Sequence, residues 1–279
     1  KNILIIGANG FTGRRILNDL SVNPIYHVTG CSLRDDICPG KDYRFVRTDI
    51  RDENEVRKLF KECRPDIVIN TSALSVPDYC ETHHAEAEAT NVTAVETIAH
   101  VCEQYGSRFI HLSTDFVFDG KSTRLYKEED EAIPVNYYGV TKLKAEKIIA
   151  SICSNYAIVR VVVVYGKALP GQHGNILQLV ANRLRNGETI RVVSDQWRTP
   201  TFVGDISVGV EKLMFHTANG IYHICGSECL TIAEIAYRVA DFLKLDRSLI
   251  EPVTTEEMKE TTPRPRFSGL SIEKAKAEI

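Results

Sequence analysis

Asn2-Ile3-Leu4-Ile5-Ile6 is a short run, apolar from Ile3 on, that stops at Gly7, and from Phe11 to Leu20 the apolar positions recur at helical spacing. The alternation then repeats. Strand-like runs fall near Tyr26–Cys31, Arg44–Thr48, Asp66–Asn70, Arg108–Leu112 and Ala157–Val164, with helical stretches near Glu53–Cys63, Ala85–Gln104 and Tyr137–Ser151 between them. Strands that are apolar on both faces and separated by helices predict a parallel sheet covered on both sides. Right-handed crossovers make this an α/β doubly wound (Rossmann) fold, with ligands expected beyond the carboxyl ends of the strands.

The rhythm changes after Gly166. A glycine-rich loop (Leu169 to Gly174) leads to a predicted helix near Asn175–Arg185, a short strand at Thr189–Val193 and a loop from Ser194 to Thr201. A helix at Asp205–Phe215 and a strand at Ile221–Ile224 have the pattern to rejoin the main sheet, and a helix at Ile232–Leu243 and a Pro/Arg loop at Thr262–Phe267 follow. The expected organisation is a dinucleotide-binding domain from residues 1–166 and 203–225, and a smaller C-terminal substrate-binding lobe from 167–202 and 226–279, with the site in the cleft between them.

Composition excludes several classes. The net charge is −3 with Lys and Arg scattered, which gives no footprint for nucleic acid. Apolar runs stay well short of the ~20 residues that cross a bilayer. With no leader visible ahead of the first strand, a cytoplasmic location is expected. The eight cysteines are dispersed without a CxxC pair, so reduced thiols and no metal site are expected.

Gly7-Ala8-Asn9-Gly10-Phe11-Thr12-Gly13 stands between the first strand and the first helix. Gly7 suits a sharp turn, Gly10 close approach of backbone to a pyrophosphate, and Gly13 tight helix–sheet packing, with the helix N-terminus facing the phosphates. No carboxylate ends the second strand to bind a ribose 2′-hydroxyl, and Arg34 lies just beyond it. This favours NADP(H), with NAD(H) as the alternative; a surface arginine paired with Asp35 or Asp36 is the competing role for Arg34. Asp49 is a candidate adenine contact or an acidic helix cap.

Tyr138 and Lys142 are four apart and share a helical face, and Ser113-Thr114-Asp115 ends the fifth strand at the ligand edge of the sheet. In a carbonyl reduction Tyr138 would donate the proton, Lys142 would ease its release and hold the nicotinamide ribose, and Thr114 would polarise the carbonyl.

GxxGxxG, Ser-Thr-Asp and Tyr-x-x-x-Lys, in that order, resemble the extended short-chain dehydrogenase/reductases. Ser113 to Gly120 is similar to the STDYVFDG segment of the dTDP-4-dehydrorhamnose reductase family, and Pro134 to Lys142 to its P-x-N-x-YGxTK. Asp195-Gln196 with Pro200-Thr201 resembles DQxGxPT, and Arg264-Pro265 with Ser268 and Leu270 resembles RPxxSxL. The resemblance spans the chain. It implies NADPH-dependent reduction of a nucleotide-linked 4-keto-6-deoxysugar, with Thr114, Tyr138 and Lys142 catalytic. It further implies cofactor contacts from Gly7, Asn9, Gly10, Phe11, Thr12, Gly13, Arg34, Asp49, Ile50, Thr71, Ser72, Ala73, Asn91, Tyr138 and Lys142. Asn175, Gln196 and Arg264 are implied substrate contacts, and the family's dimers make a homodimer an expectation.

Three departures bear on substrate. Val163 replaces the tryptophan of RTSWVYG, which removes an aromatic wall, and Trp197 and Arg198 add bulk and charge to the DQxGxPT loop. Gly30-Cys31-Ser32-Leu33-Arg34 and that Trp/Arg loop also resemble the regulatory β subunit of methionine adenosyltransferase, an NADP-binding partner of another enzyme. A dehydratase would want an acidic pair, and no Glu stands beside Asp115.

Overall fold

A computed structural model describes residues 1–40, 42–172 and 174–279; Lys41, and His173 of the glycine-rich loop, lie outside the described residues. Seven parallel strands form the central sheet: β1 (Asn2–Ile6), β2 (His27–Ser32), β3 (Arg44–Arg47), β4 (Ile67–Asn70), β5 (Arg108–Thr114), β6 (Tyr156–Val161) and β7 (Gly220–His223). Their order is β7-β6-β5-β4-β1-β2-β3, so the chain runs outward from β1 in one direction and then the other. That reversal lies between β1 and β4, the place where a doubly wound sheet opens a crevice for ligands.

The unbroken apolar strands follow from burial of both faces. Ile3 and Ile5 of β1 pack with Ile16, Leu17 and Leu20 of α1 (Phe11–Ser21) on one face. Leu4 and Ile6 pack on the other with Val56 and Phe60 of α2 (Glu53–Cys63) and with Val95 and Ile98 of α3 (Ala94–Tyr105). Each such side chain contributes about 1.5–3 kcal/mol, so a polar residue in the middle of this sheet needs a specific partner. His111 and Asn70 are two such residues.

The helix expected from Ala85 to Gln104 is interrupted. It is preceded by helical turns at Pro77–Thr82 and His84–Glu88, and passes through a π-helical turn at Ala89–Thr93 before α3. The strand expected to reach Val164 stops at Val161, because Val163 takes φ +37°; Val164–Tyr165 then pairs separately with Thr201–Phe202. A β-branched residue in that region is strained, and hydrophobicity alone gives no sign of it.

Beyond α4 (Tyr137–Ile152) and β6, helices α5 (Ile176–Arg185) and α7 (Ile232–Leu243) build a second core with a two-stranded parallel sheet, Ile190–Val193 against Ile250–Val253. Helix α6 (Val203–Phe215) instead packs on the main sheet, where Ile206, Val210 and Leu213 join the core with β1 and α1, and β7 pairs with β6 as its pattern allowed. No helix is long and apolar enough to cross a membrane among the described residues.

Candidate active site

The glycine loop leaves β1 at Gly7, which has φ +83°, and turns directly into α1. A Cβ on Gly7 would lie 2.7 Å from the Ser72 nitrogen, and one on Gly13 would lie 2.3 Å from the Gly7 carbonyl oxygen. Both positions therefore require glycine for close packing. Thr71 seals the same junction, its hydroxyl donating to the Ile6 carbonyl at 2.9 Å. No side chain caps the N-terminus of α1 at Gly10, which leaves its first amides available to an anion. These are the features a pyrophosphate cradle needs.

Asn9 acts on a neighbouring loop. Its amide donates to the carbonyls of Arg34 (3.2 Å) and Asp35 (2.8 Å) and accepts from Arg14 (2.8 Å), fixing the turn after β2. Arg34 itself is exposed, and among the described residues it makes no ion pair; Asp36 pairs with the buried Arg14 instead. Asp49 clamps the side chain of Arg51, which holds its carboxyl below the usual range, and the cap of α2 is Asp52. Phe11, Thr12, Ile50 and Ala73 are half-buried around the same edge. Asn91, in the π-helical turn, grips Leu74 through N–H (2.8 Å) and carbonyl (3.0 Å) and donates to Thr141 (3.1 Å). It thus holds the Thr71–Leu74 segment against α4.

Thr114, Tyr138 and Lys142 meet at the carboxyl end of β5. Asn136 caps α4 by accepting from the Gly139 amide, which sets Tyr138 in the first turn and Lys142 one turn further in. Tyr138 is half-buried, its ring edge-on to Phe116 at 6.0 Å. Burial pushes its phenol above the ordinary value, while a hydrogen bond with Thr114 acts the other way and the Asp115 charge adds to the rise. Lys142 is fully buried, donating to the Leu112 carbonyl at 2.6 Å with its nitrogen 3.0 Å from His111 Nε2. Burial pulls its pKa down to about 8, with Glu146 opposing.

The two neighbouring charges are neutralised inside the protein. Glu146 receives two hydrogen bonds from Arg160, at 2.9 and 2.6 Å, and one from Ser113. Asp115 faces Arg198 and is bonded to Ser268 and Thr114. Arg198 therefore does not carry charge into the cleft, as its position in the loop suggested; its guanidinium is consumed by Asp115, Gln196 and the carbonyls of Trp197, Pro265 and Arg266.

The substrate candidates fall in two places. Gln196 is buried, bonded to Glu260 (2.8 Å), Thr255 (3.2 Å) and Arg198 (3.2 Å), and Arg264 reaches Asp78 (2.8 Å) and Glu260 (3.3 Å). These two share one network with Asp115. Asn175 stands apart: it caps α5 with a reciprocal Gln178 bond and donates to the Gly166 carbonyl at 2.9 Å. A cavity of about 1160 Å³ opens between α5, α7 and the Tyr165–Gly166 turn, lined by Gln178, Asp205 and Arg238 among others; it does not extend to Thr114 or Tyr138.

His111, Glu146, Arg14 and Arg198 were missed as site residues. For His111 the signal was present: a polar residue at the centre of the apolar strand Phe109-Ile110-His111-Leu112. The partners of the other three come from distant segments. All eight cysteines are free thiols, five of them buried, and the described residues hold no cluster of metal-ligating side chains.

This fold, with a glycine loop at β1 and a Thr/Tyr/Lys cluster beyond β5, defines a dinucleotide-binding protein of the extended short-chain dehydrogenase/reductase class. The chain belongs to the RmlD substrate binding domain family, whose model matches residues 1–279. It is 30% identical over 278 residues to a probable low-salt glycan biosynthesis reductase, Agl14, of Haloferax volcanii, covering 99% of this chain and 91% of that protein. It is 32% identical over 270 residues to methionine adenosyltransferase 2 subunit beta of Xenopus laevis, covering 95% and 78%. Among solved structures, dTDP-4-dehydrorhamnose reductase from Bacillus anthracis in complex with NADP matches with a TM-score of 0.87 and 26% identity, covering 99% of this chain and 92% of that one.

Proposed function

We propose that the protein is an NADPH-dependent reductase of a nucleotide-linked 4-keto-6-deoxysugar, with Tyr138 as general acid. The observation that carries this reading is the convergence of Thr114, Tyr138 and Lys142 at the carboxyl end of β5, on the sheet edge that also holds the glycine loop. Gly7, Gly10 and Gly13 would hold the dinucleotide on the uncapped α1 N-terminus, and Arg34 would meet the 2′-phosphate. When bound, the cofactor supplies the hydride.

The residues of the chain supply the rest. Burial keeps the Tyr138 phenol protonated at neutral pH, the state an acid requires before it donates to the carbonyl oxygen. The Thr114 hydroxyl, held by the Phe116 amide at 3.2 Å, polarises the same oxygen. Lys142 compensates the phenolate left behind. The segments 167–202 and 226–279 would bind the nucleotide-sugar, and the cavity beside α5 has the size of a small-molecule site.

A second reading is favoured by the similarity to methionine adenosyltransferase 2 subunit beta: an NADP-binding regulatory subunit that retains the cluster. The two separate in one assay. Purified protein given NADPH and dTDP-4-dehydrorhamnose should oxidise the cofactor, and Tyr138→Phe should lower turnover by about 10²–10⁴-fold with NADPH affinity intact. Tight NADPH binding without turnover on any nucleotide keto-sugar, with one enzyme recovered from the source cell in fixed stoichiometry, would favour the subunit.

A further inference from the structure

We propose that His111 is a positioning residue that admits Lys142 to its buried site only as the neutral amine, so that protonation of Lys142 and its release toward Tyr138 are a single event. The meaning for catalysis rests on the reductase reading; the hydrogen-bond polarity does not.

The argument begins at a backbone amide. The Ser72 N–H can only donate, and it lies 3.0 Å from Asn70 Oδ1, which also accepts the Ser72 hydroxyl at 2.6 Å. The amide of Asn70 is thereby oriented, and its NH₂ faces His111 Nδ1 at 3.2 Å. Asn70 and His111 are register partners on β4 and β5, so both strands fix this contact. An NH₂ group needs an acceptor, which leaves Nδ1 without a proton and places the imidazole hydrogen on Nε2.

Nε2–H then points at Lys142 Nζ, 3.0 Å away. An ammonium has three donors and no lone pair, whereas an amine can accept. One of the amine's two hydrogens goes to the Leu112 carbonyl at 2.6 Å. The His111 Nε2–H therefore finds an acceptor at Lys142 only if Lys142 is neutral. An imidazolium at His111 would place a second hydrogen against the Asn70 NH₂, and burial holds His111 well below its ordinary pKa.

No other group reverses this. Glu146, one turn along α4, is the carboxylate that bears on Lys142, and its oxygens are engaged by Arg160 of β6 and Ser113 of β5. Tyr138 lies one turn earlier on the same helix; Asp115 at the end of β5 and Cys80 of the Pro77–Thr82 turn bear on Tyr138 instead. Burial acts in the same direction, lowering Lys142 to about 8, so the amine prevails above that pH and the ammonium below it.

Once the amine takes a proton from solvent, the ammonium meets a donor at His111 and is displaced along α4 toward Tyr138. There it would compensate the phenolate formed when the Tyr138 O–H bond breaks and its proton passes to the substrate oxygen, the bound dinucleotide supplying the hydride. A solvent proton then restores Tyr138, and Lys142 returns to His111 on losing its own.

The test is long-range ¹H–¹⁵N correlation on the full chain labelled with ¹⁵N-histidine, with the His111 signals assigned by their loss in His111→Gln. The expected result is a neutral Nε2–H tautomer at pH 7, with Lys142, followed through ¹³Cε-lysine, titrating near 8. In Asn70→Asp the carboxylate accepts from Nδ1–H, the tautomer reverses, Nε2 becomes an acceptor for ammonium, and the Lys142 midpoint rises toward 10.5. An Nδ1–H tautomer or an imidazolium in the wild type overturns the proposal, as does a wild-type Lys142 midpoint near 10.5. An unchanged tautomer in a folded Asn70→Asp protein overturns it too. None of these signals requires turnover, so an inactive protein with the Nε2–H tautomer would refute the reductase reading while leaving this one standing.

Discussion

The Arg198 guanidinium lies 3.7 Å from the Asp115 carboxylate, both buried, with Asp115 adjacent in sequence to Thr114. Burial raises the pKa of Asp115, and Arg198, Ser268 and Thr114 each act to lower it. Arg198→Ala leaves an uncompensated buried carboxylate, and a loss of about 3–5 kcal/mol is expected by urea unfolding. The pair Arg198→Met with Asp115→Asn should lose clearly less; a double variant as unstable as the single one would show that the charge pair is not the cause.

Two buried histidines set an acid limit. Burial, reinforced by Arg160, holds His223 down to about 3, and burial with Lys142 holds His111 well below 6.5. Both are neutral when folded but titrate near 6.5 when unfolded, so below 6.5 the unfolded chain binds more protons. Stability is therefore unaffected by them above pH 6.5 and falls below it, for His223 down to about 3, by about 1.4 kcal/mol per pH unit. Urea midpoints measured from pH 7.5 to 5.5 should fall, and His223→Gln should flatten the slope; an equal slope in that variant removes His223 from the explanation.

Val163 holds φ +37° where β6 ends. The strain is of order 1–3 kcal/mol, so Val163→Gly should raise stability by about 1 kcal/mol despite lost packing. Val163→Ala keeps most of the strain and loses packing against the cluster that includes Val117, Phe118 and Leu270, so it should be less stable than wild type. Thermal unfolding of both variants would decide it, since a conventional extended conformation predicts the opposite order for glycine and alanine.

Arg34 is exposed beyond β2, beside the loop that Asn9 and Arg14 fix. Arg34→Ala should weaken NADPH by about tenfold, the value of one charge-assisted hydrogen bond, and leave NADH unchanged. Fluorescence titration with both nucleotides gives the ratio, and an unaltered ratio would move the 2′-phosphate contact to another residue.

Much of the fold was legible because its causes are local or periodic. Ile3, Leu4, Ile5 and Ile6 are all apolar since both faces of β1 are covered, and Tyr138 and Lys142 lie on one helical face because of their spacing. Gly7 and Gly13 announced a turn that no Cβ permits. Neither Asn175 nor Asp49 could be resolved in this way, since a helix cap, a clamp on Arg51 and a ligand contact use the same residue types.

By itself, then, the sequence determined the alternating strands and helices, the glycine cradle and the Tyr/Lys pair, all of which depend on neighbours within a few residues. Only the tertiary structure decided that the strand breaks at Val163, that Arg198 turns inward to Asp115 across 83 positions, and that His111 stands between Asn70 and Lys142. The reason is physical: a buried polar group is stable only with a partner, and these partners are supplied by strands, helices and loops brought together by the sheet and its crossovers.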